Sequence, residues 1–257
     1  MPELPEVETL CRQLRKKVVG QAVRSMKVYD QKLSDLADVR GQKIAEVRRM
    51  GKTVVCTLDD GRHLVIHLRM SGRLLWREHQ AAEPHTRLRI GFAGGDLDLV
   101  DPRRFATVRV VQDPPPVCRN DFINGFDRRS FLARQASRRM AVKLVLMDQA
   151  AVAGIGNIYA CEILHRARVS PLRPAAEISP EAWSRIFREA RLVLLCGIAK
   201  RGTSISDWRD LYGAPGENQK GLAVYAREGK ACPVCGEVIV RIRQGGRSTF
   251  YCPRCQT

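Results

Sequence analysis

Four cysteines near the end of the chain carry the most specific chemical signal. Cys232-Pro233-Val234-Cys235 is followed, after sixteen residues, by Cys252-Pro253-Arg254-Cys255. Two such pairs at this separation suit four thiolates around one tetrahedral zinc ion, and four protein ligands leave no open position for a substrate. One structural zinc is therefore expected. Between the pairs, Val238, Ile239 and Val240, then Gly245-Gly246, then Phe250 and Tyr251 suit two strands and a turn. Arg241, Arg243 and Arg247 place cations beside glycines that let a phosphate approach the backbone.

The opposite end offers a nucleophile. In Pro2-Glu3-Leu4-Pro5-Glu6-Val7-Glu8, removal of Met1 leaves a secondary amine beside the carboxylates of Glu3 and Glu6. Such an amine attacks the anomeric carbon of a sugar. The resulting iminium is an electron sink that makes the neighbouring sugar proton acidic, which permits β-elimination of a backbone phosphate. A free α-amine titrates at about pH 8, and a strongly cationic surface lowers that value. The same acids also suit the start of a helix, where they complement the macrodipole, and spacing alone favours that plainer reading.

These groups need elements to hold them. Val7, Leu10, Leu14 and Val18 keep helical spacing and stop before Gly20, which predicts an amphipathic helix directly after the terminus. From there to about Val111 the texture is β: Thr53 to Leu58 and Arg62 to Leu68 flank Asp59-Asp60-Gly61, and Ala93-Gly94-Gly95 separates two further apolar runs. Asp113-Pro114-Pro115-Pro116 cannot continue a sheet, because prolines remove donors and fix the backbone. Beyond it, Ser130 to about Lys200 reads as helical, with Ser179 and Pro180 as a helix start after Ile178. The expected fold is α+β, with an N-terminal β-sandwich or barrel and its helix over 1–113, a linker at 114–129, a helical domain at 130–222 and a zinc-finger hairpin at 223–257.

Composition narrows the partners. The 257-residue chain carries 44 Lys and Arg against 27 Asp and Glu, a formal charge of +17, which belongs to proteins that meet phosphates or anionic lipid. Its hydrophobic fraction of 44% supports one large domain or two modest ones. No long apolar run and no signal-peptide core appear, so a cytoplasmic, nucleoid-associated protein without membrane contact is expected. Nine cysteines, an odd number, argue against a disulfide framework. Cys11, Cys56, Cys118, Cys161 and Cys196 are expected to be reduced and mostly buried.

Four segments in order, Pro2 to Glu8, Asp101-Pro102-Arg103-Arg104-Phe105, Gly154-Ile155-Gly156-Asn157-Ile158-Tyr159-Ala160 and the four-cysteine finger, resemble the formamidopyrimidine-DNA glycosylases over essentially the whole chain. The terminal Pro-Glu-Leu-Pro-Glu favours that family over its sister, endonuclease VIII. The resemblance implies a β-sandwich joined to a helix-two-turn-helix domain and a monomer acting on damaged double-stranded DNA. It also implies that Pro2 is the Schiff-base nucleophile, Glu3 the acid that protonates the sugar ring oxygen, Glu6 a residue that positions both, and Lys52 a hairpin-loop lysine near the lesion. Met70, in His67-Leu68-Arg69-Met70-Ser71-Gly72, with Arg103 and Phe105 matches the trio that fills the gap left by an extruded nucleotide. Without the family, Met70 and Phe105 read as core and Lys52 as a solvated turn residue. His67 joins the DNA contacts through the same segment. Asn157 at a helix N-terminus, Lys143 on the preceding helix, Tyr225 on a strand before the finger and Arg247 in its hairpin match phosphate contacts.

Two segments depart from the family pattern. Gly213 to Gln219 resembles the loop that caps the extruded base, yet lacks the aromatic pair after Pro215-Gly216. Asn124 to Arg129 replaces the usual Leu-Gly-Pro-Glu-Pro junction. The leading expectation is a zinc-containing enzyme of base-excision repair that removes oxidised purines and cleaves the abasic site by β,δ-elimination. An oxidised-pyrimidine glycosylase of endonuclease VIII type and a non-catalytic damaged-DNA binder remain as alternatives.

Overall fold

The computed structural model describes residues 1–114, 116 and 120–257. Pro115, Val117, Cys118 and Arg119, which include part of the expected linker and one expected buried thiol, lie outside the described residues.

Helix α1 (Leu4–Val18) forms where the apolar spacing predicts it. Its buried stripe includes Val7, Leu10, Leu14 and Val18, Glu6 lies in its first turn, and Arg15, Lys16 and Lys17 occupy its last. That charge order complements the helix dipole. Eight strands follow: β1 (Ser25–Val28), β2 (Ile44–Met50), β3 (Thr53–Leu58), β4 (His63–His67), β5 (Arg73–Arg77), β6 (Thr86–Phe92), β7 (Gly95–Val100) and β8 (Thr107–Val111). They make two four-stranded antiparallel sheets of order β1-β6-β7-β5 and β2-β3-β4-β8. β4 alternates buried and half-buried residues, so Leu64 and Ile66 point to the core while His67 ends the strand on the other face. Leu10 and Leu14 of α1, Val54 and Ile66 of one sheet, and Leu88 and Leu99 of the other share one apolar cluster.

The chain divides into two compact units. The first takes in Met1–Pro116 and also Ile198–Gln219, a return of the chain that the apolar pattern does not signal. Trp208 and Leu211 of that returning segment join the same cluster as α1 and the sheets. The Trp76 N–H donates to the Leu211 carbonyl at 2.8 Å.

The second unit holds α2 (Arg128–Gln135), α3 (Val142–Met147), α4 (Asn157–Ala167), α5 (Pro180–Ala199, up to Gly197) and the hairpin of β9 (Val240–Gln244) and β10 (Arg247–Tyr251). Ser179 caps α5 by accepting the Ala182 N–H at 3.2 Å. Phe126, Phe131, Trp183 and Phe187 pack edge-on and stacked at 5.1–5.7 Å between centroids. Gly245 and Gly246, both at positive φ, turn the β9–β10 hairpin.

Two expectations change. Tyr225 lies in a turn rather than a strand. The buried Glu162 carboxylate accepts the successive N–H groups of Ala223, Val224 and Tyr225 at 2.8, 3.0 and 2.9 Å, and Ala226 follows at φ 58°. Backbone curled around an anion cannot also donate to a ladder. Among the scattered cysteines, Cys11, Cys56 and Cys161 are buried, but Cys196 is exposed on α5.

Candidate active site and nucleic-acid contacts

The amino terminus of the first unit is held by its own first helical turn. The Glu3 N–H donates to Glu6 Oε2 at 2.8 Å, and the Thr203 N–H donates to Glu6 Oε1 at 2.7 Å. Both carboxylate oxygens of Glu6 are thus fixed, one toward the terminus and one toward the returning segment. Gly202 makes this approach possible. At φ 85°, a Cβ there would lie 2.8 Å from Glu6 Oε1 and 2.9 Å from Trp208 Nε1. Pro2, Glu3 and Glu6 are all buried.

The α-amino group of Met1, one residue before Pro2, is shifted below the ordinary α-amine range, mainly by burial. Lys52 and Arg103 push it further down, while Glu3 and Glu6 oppose them. The structure therefore gathers Glu3, Glu6, Lys52 and Arg103 around the terminal amine. Lys52 occupies the β2–β3 turn, buried to 7% exposure, so the solvated-turn reading fails. An ion pair clips that turn to α1: Arg49 Nε donates to Glu8 Oε2 at 3.1 Å, and another Arg49 nitrogen donates to the Gly51 carbonyl at 3.0 Å. Sequence reasoning assigned no role to Glu8 or Arg49. Their signal was present, since a charged pair on otherwise core-facing elements must be matched to be buried.

Met70 and Phe105 are 47% and 53% exposed, which rules out a core role for both. Asp101, fully buried, organises the two loops that carry them. It accepts the Ser71 hydroxyl at 2.6 Å, the N–H groups of Phe105 and Ala106 at 2.7 Å each, and that of Arg103 at 3.2 Å. Burial works against its charged form, but these donors outweigh it and hold the carboxyl below the usual range. Arg103 Nε donates to Ser71 Oγ at 3.0 Å and its guanidinium lies 5.6 Å from the Phe105 ring centroid. Arg69 and Arg104 sit at φ 55° and 56° in these loops, a conformation that disfavours side chains by about 1–2 kcal/mol each. Arg104 is held there by Asp30, which also accepts from Arg87 at 2.6 Å.

His67, half-buried, accepts the Arg69 N–H on Nδ1 at 3.0 Å, which leaves Nε2 to carry the proton. Burial first, then Arg69 and Lys52, pull its pKa down to about 4, so the ring is neutral at physiological pH. The segment expected to cap an extruded base is tied back on itself. Asn218 Nδ2 donates to Thr203 Oγ1 at 2.9 Å, Arg201 pairs with Glu217 at 3.3 Å, and the Ser204 N–H donates to Gln219 Oε1 at 2.9 Å. Polar side chains in place of the aromatic pair thus brace the turn beside Glu6.

In the second unit, Asn157 opens α4, and its Nδ2 donates to the Ser248 carbonyl at 2.8 Å. Lys143 is fully buried beneath it. Its ammonium donates to Asn157 Oδ1 and Thr249 Oγ1 at 2.6 Å each. That places Lys143 as a support for Asn157 and the hairpin. Arg247 is exposed at the start of β10, and Tyr225 is half-buried with its ring edge-on to Phe250 at 5.1 Å.

The four finger cysteines have their sulfurs within 4.8 Å of one another, with Cys232 to Cys255 at 3.9 Å and Cys235 to Cys252 at 3.5 Å. Zinc–thiolate bonds of about 2.3 Å in a tetrahedron imply edges of about 3.8 Å. The donor set therefore fits one structural zinc.

Comparison with known proteins covers the same regions. Family models match residues 1–108 (formamidopyrimidine-DNA glycosylase N-terminal domain), 117–208 (formamidopyrimidine-DNA glycosylase H2TH domain) and 229–257 (zinc finger found in FPG and IleRS). The formamidopyrimidine-DNA glycosylases of Desulfitobacterium hafniense and Pelotomaculum thermopropionicum are 37% and 39% identical, over all of this chain and 100% and 99% of theirs. Among solved structures, MutM (FPG) from Thermus thermophilus is 36% identical with a TM-score of 0.89, covering 99% of this chain and 98% of its own. A Lactococcus lactis FPG variant in complex with Fapy-dG containing DNA is 29% identical with a TM-score of 0.90 over the full length of both chains.

Proposed function

Because the chain belongs to the formamidopyrimidine-DNA glycosylase family, we propose that it excises oxidised purines, formamidopyrimidines and 8-oxoguanine, from duplex DNA and cleaves the resulting abasic site through a Schiff base on Pro2. The observation that carries this reading is that Pro2 is buried beside Glu3 and Glu6, at a terminus where Glu3, Glu6, Lys52 and Arg103 act on the adjoining Met1 amine and burial lowers its pKa.

The chemistry follows from those groups. With Met1 removed, the Pro2 nitrogen bonds to C1′ as the bond to the base breaks, and the base leaves with a proton. Glu3 protonates the ring oxygen, the C1′–O4′ bond opens and an iminium forms. Loss of a C2′ proton sends its electrons toward the iminium and expels the 3′ phosphate. A second elimination expels the 5′ phosphate. Glu6, with both oxygens engaged by backbone N–H groups, is a positioning residue. Lys52 supplies positive charge beside the sugar and its phosphate. Met70 and Phe105 wedge into the stack vacated by the extruded nucleotide, and neutral His67 offers its Nε2–H to the backbone. Asn157, Tyr225 and Arg247 contact phosphates, with Lys143 as support. The zinc holds the finger and takes no part in the reaction.

The proposal is tested with duplexes carrying single lesions, under borohydride. Oxidised purines should give base release and a covalent adduct. Exclusive action on oxidised pyrimidines would indicate the endonuclease VIII preference, and binding without an adduct would indicate a damage binder. No helix among the described residues is long and apolar enough to cross a membrane. The cytoplasmic, nucleoid-associated location is proposed on the ground of the duplex DNA substrate alone.

Arg103 is proposed to read the base opposite the lesion, because two guanidinium donors match the acceptors of cytosine but meet the amino group of adenine. A bidentate base contact is worth about 1–3 kcal/mol. Arg103→Ala should thus narrow the cytosine-over-adenine excision ratio roughly ten- to a hundredfold while adduct formation persists. Excision of one oxidised guanine opposite each of the four bases checks this, and an equal loss for all four partners would reduce Arg103 to a wedge.

Arg247, exposed on the hairpin, is proposed as a phosphate contact. Arg247→Ala should lower the slope of log affinity against log salt by about one unit. The decrease should be the same for damaged and undamaged duplexes, and a fall confined to one sequence context would indicate base reading.

A further inference from the structure

α4 turns two unlike residues toward the finger. Cys161 and His165, four positions apart and therefore on one helical face, are 1% and 4% exposed. Cys161 belongs to the same apolar cluster as Cys232 and Cys252. His165 places its Nε2 3.4 Å from Cys232 Sγ, while its Nδ1 is buried with no hydrogen-bond partner among the described residues. A buried imidazole needs a reason to be there, and the orphaned nitrogen identifies the tautomer. A proton on Nδ1 would bury an unanswered donor and set the Nε2 lone pair against a thiolate. A proton on Nε2 leaves only an unused acceptor and gives the sulfur an N–H.

We infer that His165 is a positioning residue of the zinc site: its Nε2–H donates to the Cys232 thiolate and fastens α4 to the metal centre. Four thiolates around one zinc ion leave a formal charge of −2 in a largely buried place, so each sulfur is a strong acceptor. An N–H from outside the ligand set draws charge off the sulfur, makes it less nucleophilic and fixes its direction toward the metal. The bond also completes a series along α4. Asn157 at its start donates to the Ser248 carbonyl, Glu162 in its middle collects the backbone of Ala223 to Tyr225, and His165 in its last turn meets Cys232. The helix that presents Asn157 is thereby joined to the finger at three levels, one of them through the metal. This inference rests on the zinc site and not on the excision chemistry, so either can fail without the other.

Three zinc-loaded proteins test it: the parent, His165→Phe, which keeps a flat ring without a donor, and His165→Gln, whose Nε2 reaches a similar place. Each is checked for one zinc per chain, then mixed with a thiol-alkylating reagent and a colorimetric chelator. Zinc release should be about tenfold faster for His165→Phe, with His165→Gln close to the parent, in line with the effect of groups that orient metal ligands. Single-turnover cleavage of an abasic duplex at saturating enzyme should be the same in all three. Equal release rates for parent and His165→Phe, or His165→Gln as fast as His165→Phe, would overturn the assignment. A measurement on the parent alone covers the case in which a variant does not fold. With 113Cd in place of zinc, the His165 Nε2 proton should show a scalar coupling to the metal across the sulfur, and a ring protonated on Nδ1 instead would refute the bond.

Discussion

A protein whose amino terminus is blocked by an uncleaved tag should form no borohydride-trapped adduct and should leave abasic duplexes intact, while still binding them. The expectation follows from the first turn of α1. Pro2 is buried, the Glu3 N–H is taken by Glu6, and Glu6 is in turn held by Thr203, so the position beside Glu3, Lys52 and Arg103 is defined by structure that a tag would not replace. Pro2→Gly keeps an amine there, but a primary one. The imine it forms must be protonated before it can draw electrons, whereas the iminium on a secondary amine carries its charge permanently. Trapping should then persist at a rate lower by about two orders of magnitude, the lower end of what a positioned proton transfer contributes. Robust trapping by the tagged protein would remove Pro2 from the mechanism.

The same site sets a pH dependence. Attack requires the neutral amine, so a pKa held below the ordinary range lets the rate reach its plateau at lower pH than a solvated α-amine would. Burial is the main cause at the Met1 amine, and Pro2 is itself buried, so the same direction is expected for the Pro2 amine exposed by removal of Met1. Lys52 and Arg103 lower the value further, so removing either cation should move the rising limb toward higher pH.

The elements and the chemistry were unevenly visible in the chain. Val7 to Val18, the Asp59-Asp60-Gly61 turn, Ser179-Pro180 and the cysteine pairs are local signals, and each became the element it predicts. What escaped depends on contacts distant in sequence. Thr203 holds Glu6 through a backbone N–H, for which residue type is no guide. Asp101 reads as part of a motif, but its role as acceptor for two loops appears only when Ser71 is brought to it. The resemblance alone places Tyr225 on a strand, and the competing claim on its backbone comes from Glu162, sixty-three residues away.

Removal of one zinc ligand should have the second large effect. Cys252 is fully buried, and its sulfur also accepts the Cys255 N–H at 3.4 Å. Structural zinc contributes about 10–16 kcal/mol in finger peptides, far more than the small finger cluster of Val224, Ile239 and Phe250 could supply. Cys252→Ser should therefore lose its metal and unfold β9 and β10. The damage should not stop there, because Thr249 and Ser248 of β10 accept from Lys143 and Asn157. A buried ammonium that loses one of its hydrogen-bond acceptors is destabilised by about 1.5–3 kcal/mol, so α3 and the start of α4 should loosen together with the hairpin. The expected result is zinc content near zero and affinity for undamaged duplex reduced by two orders of magnitude or more, roughly the loss of two or three phosphate contacts. The first unit should keep its own cooperative melting transition, because its core includes no residue of the finger. Metal analysis, duplex titration and calorimetry on the variant check the three parts. Full zinc content with unchanged duplex affinity would mean that Cys252 is not a ligand and that the finger stands without it.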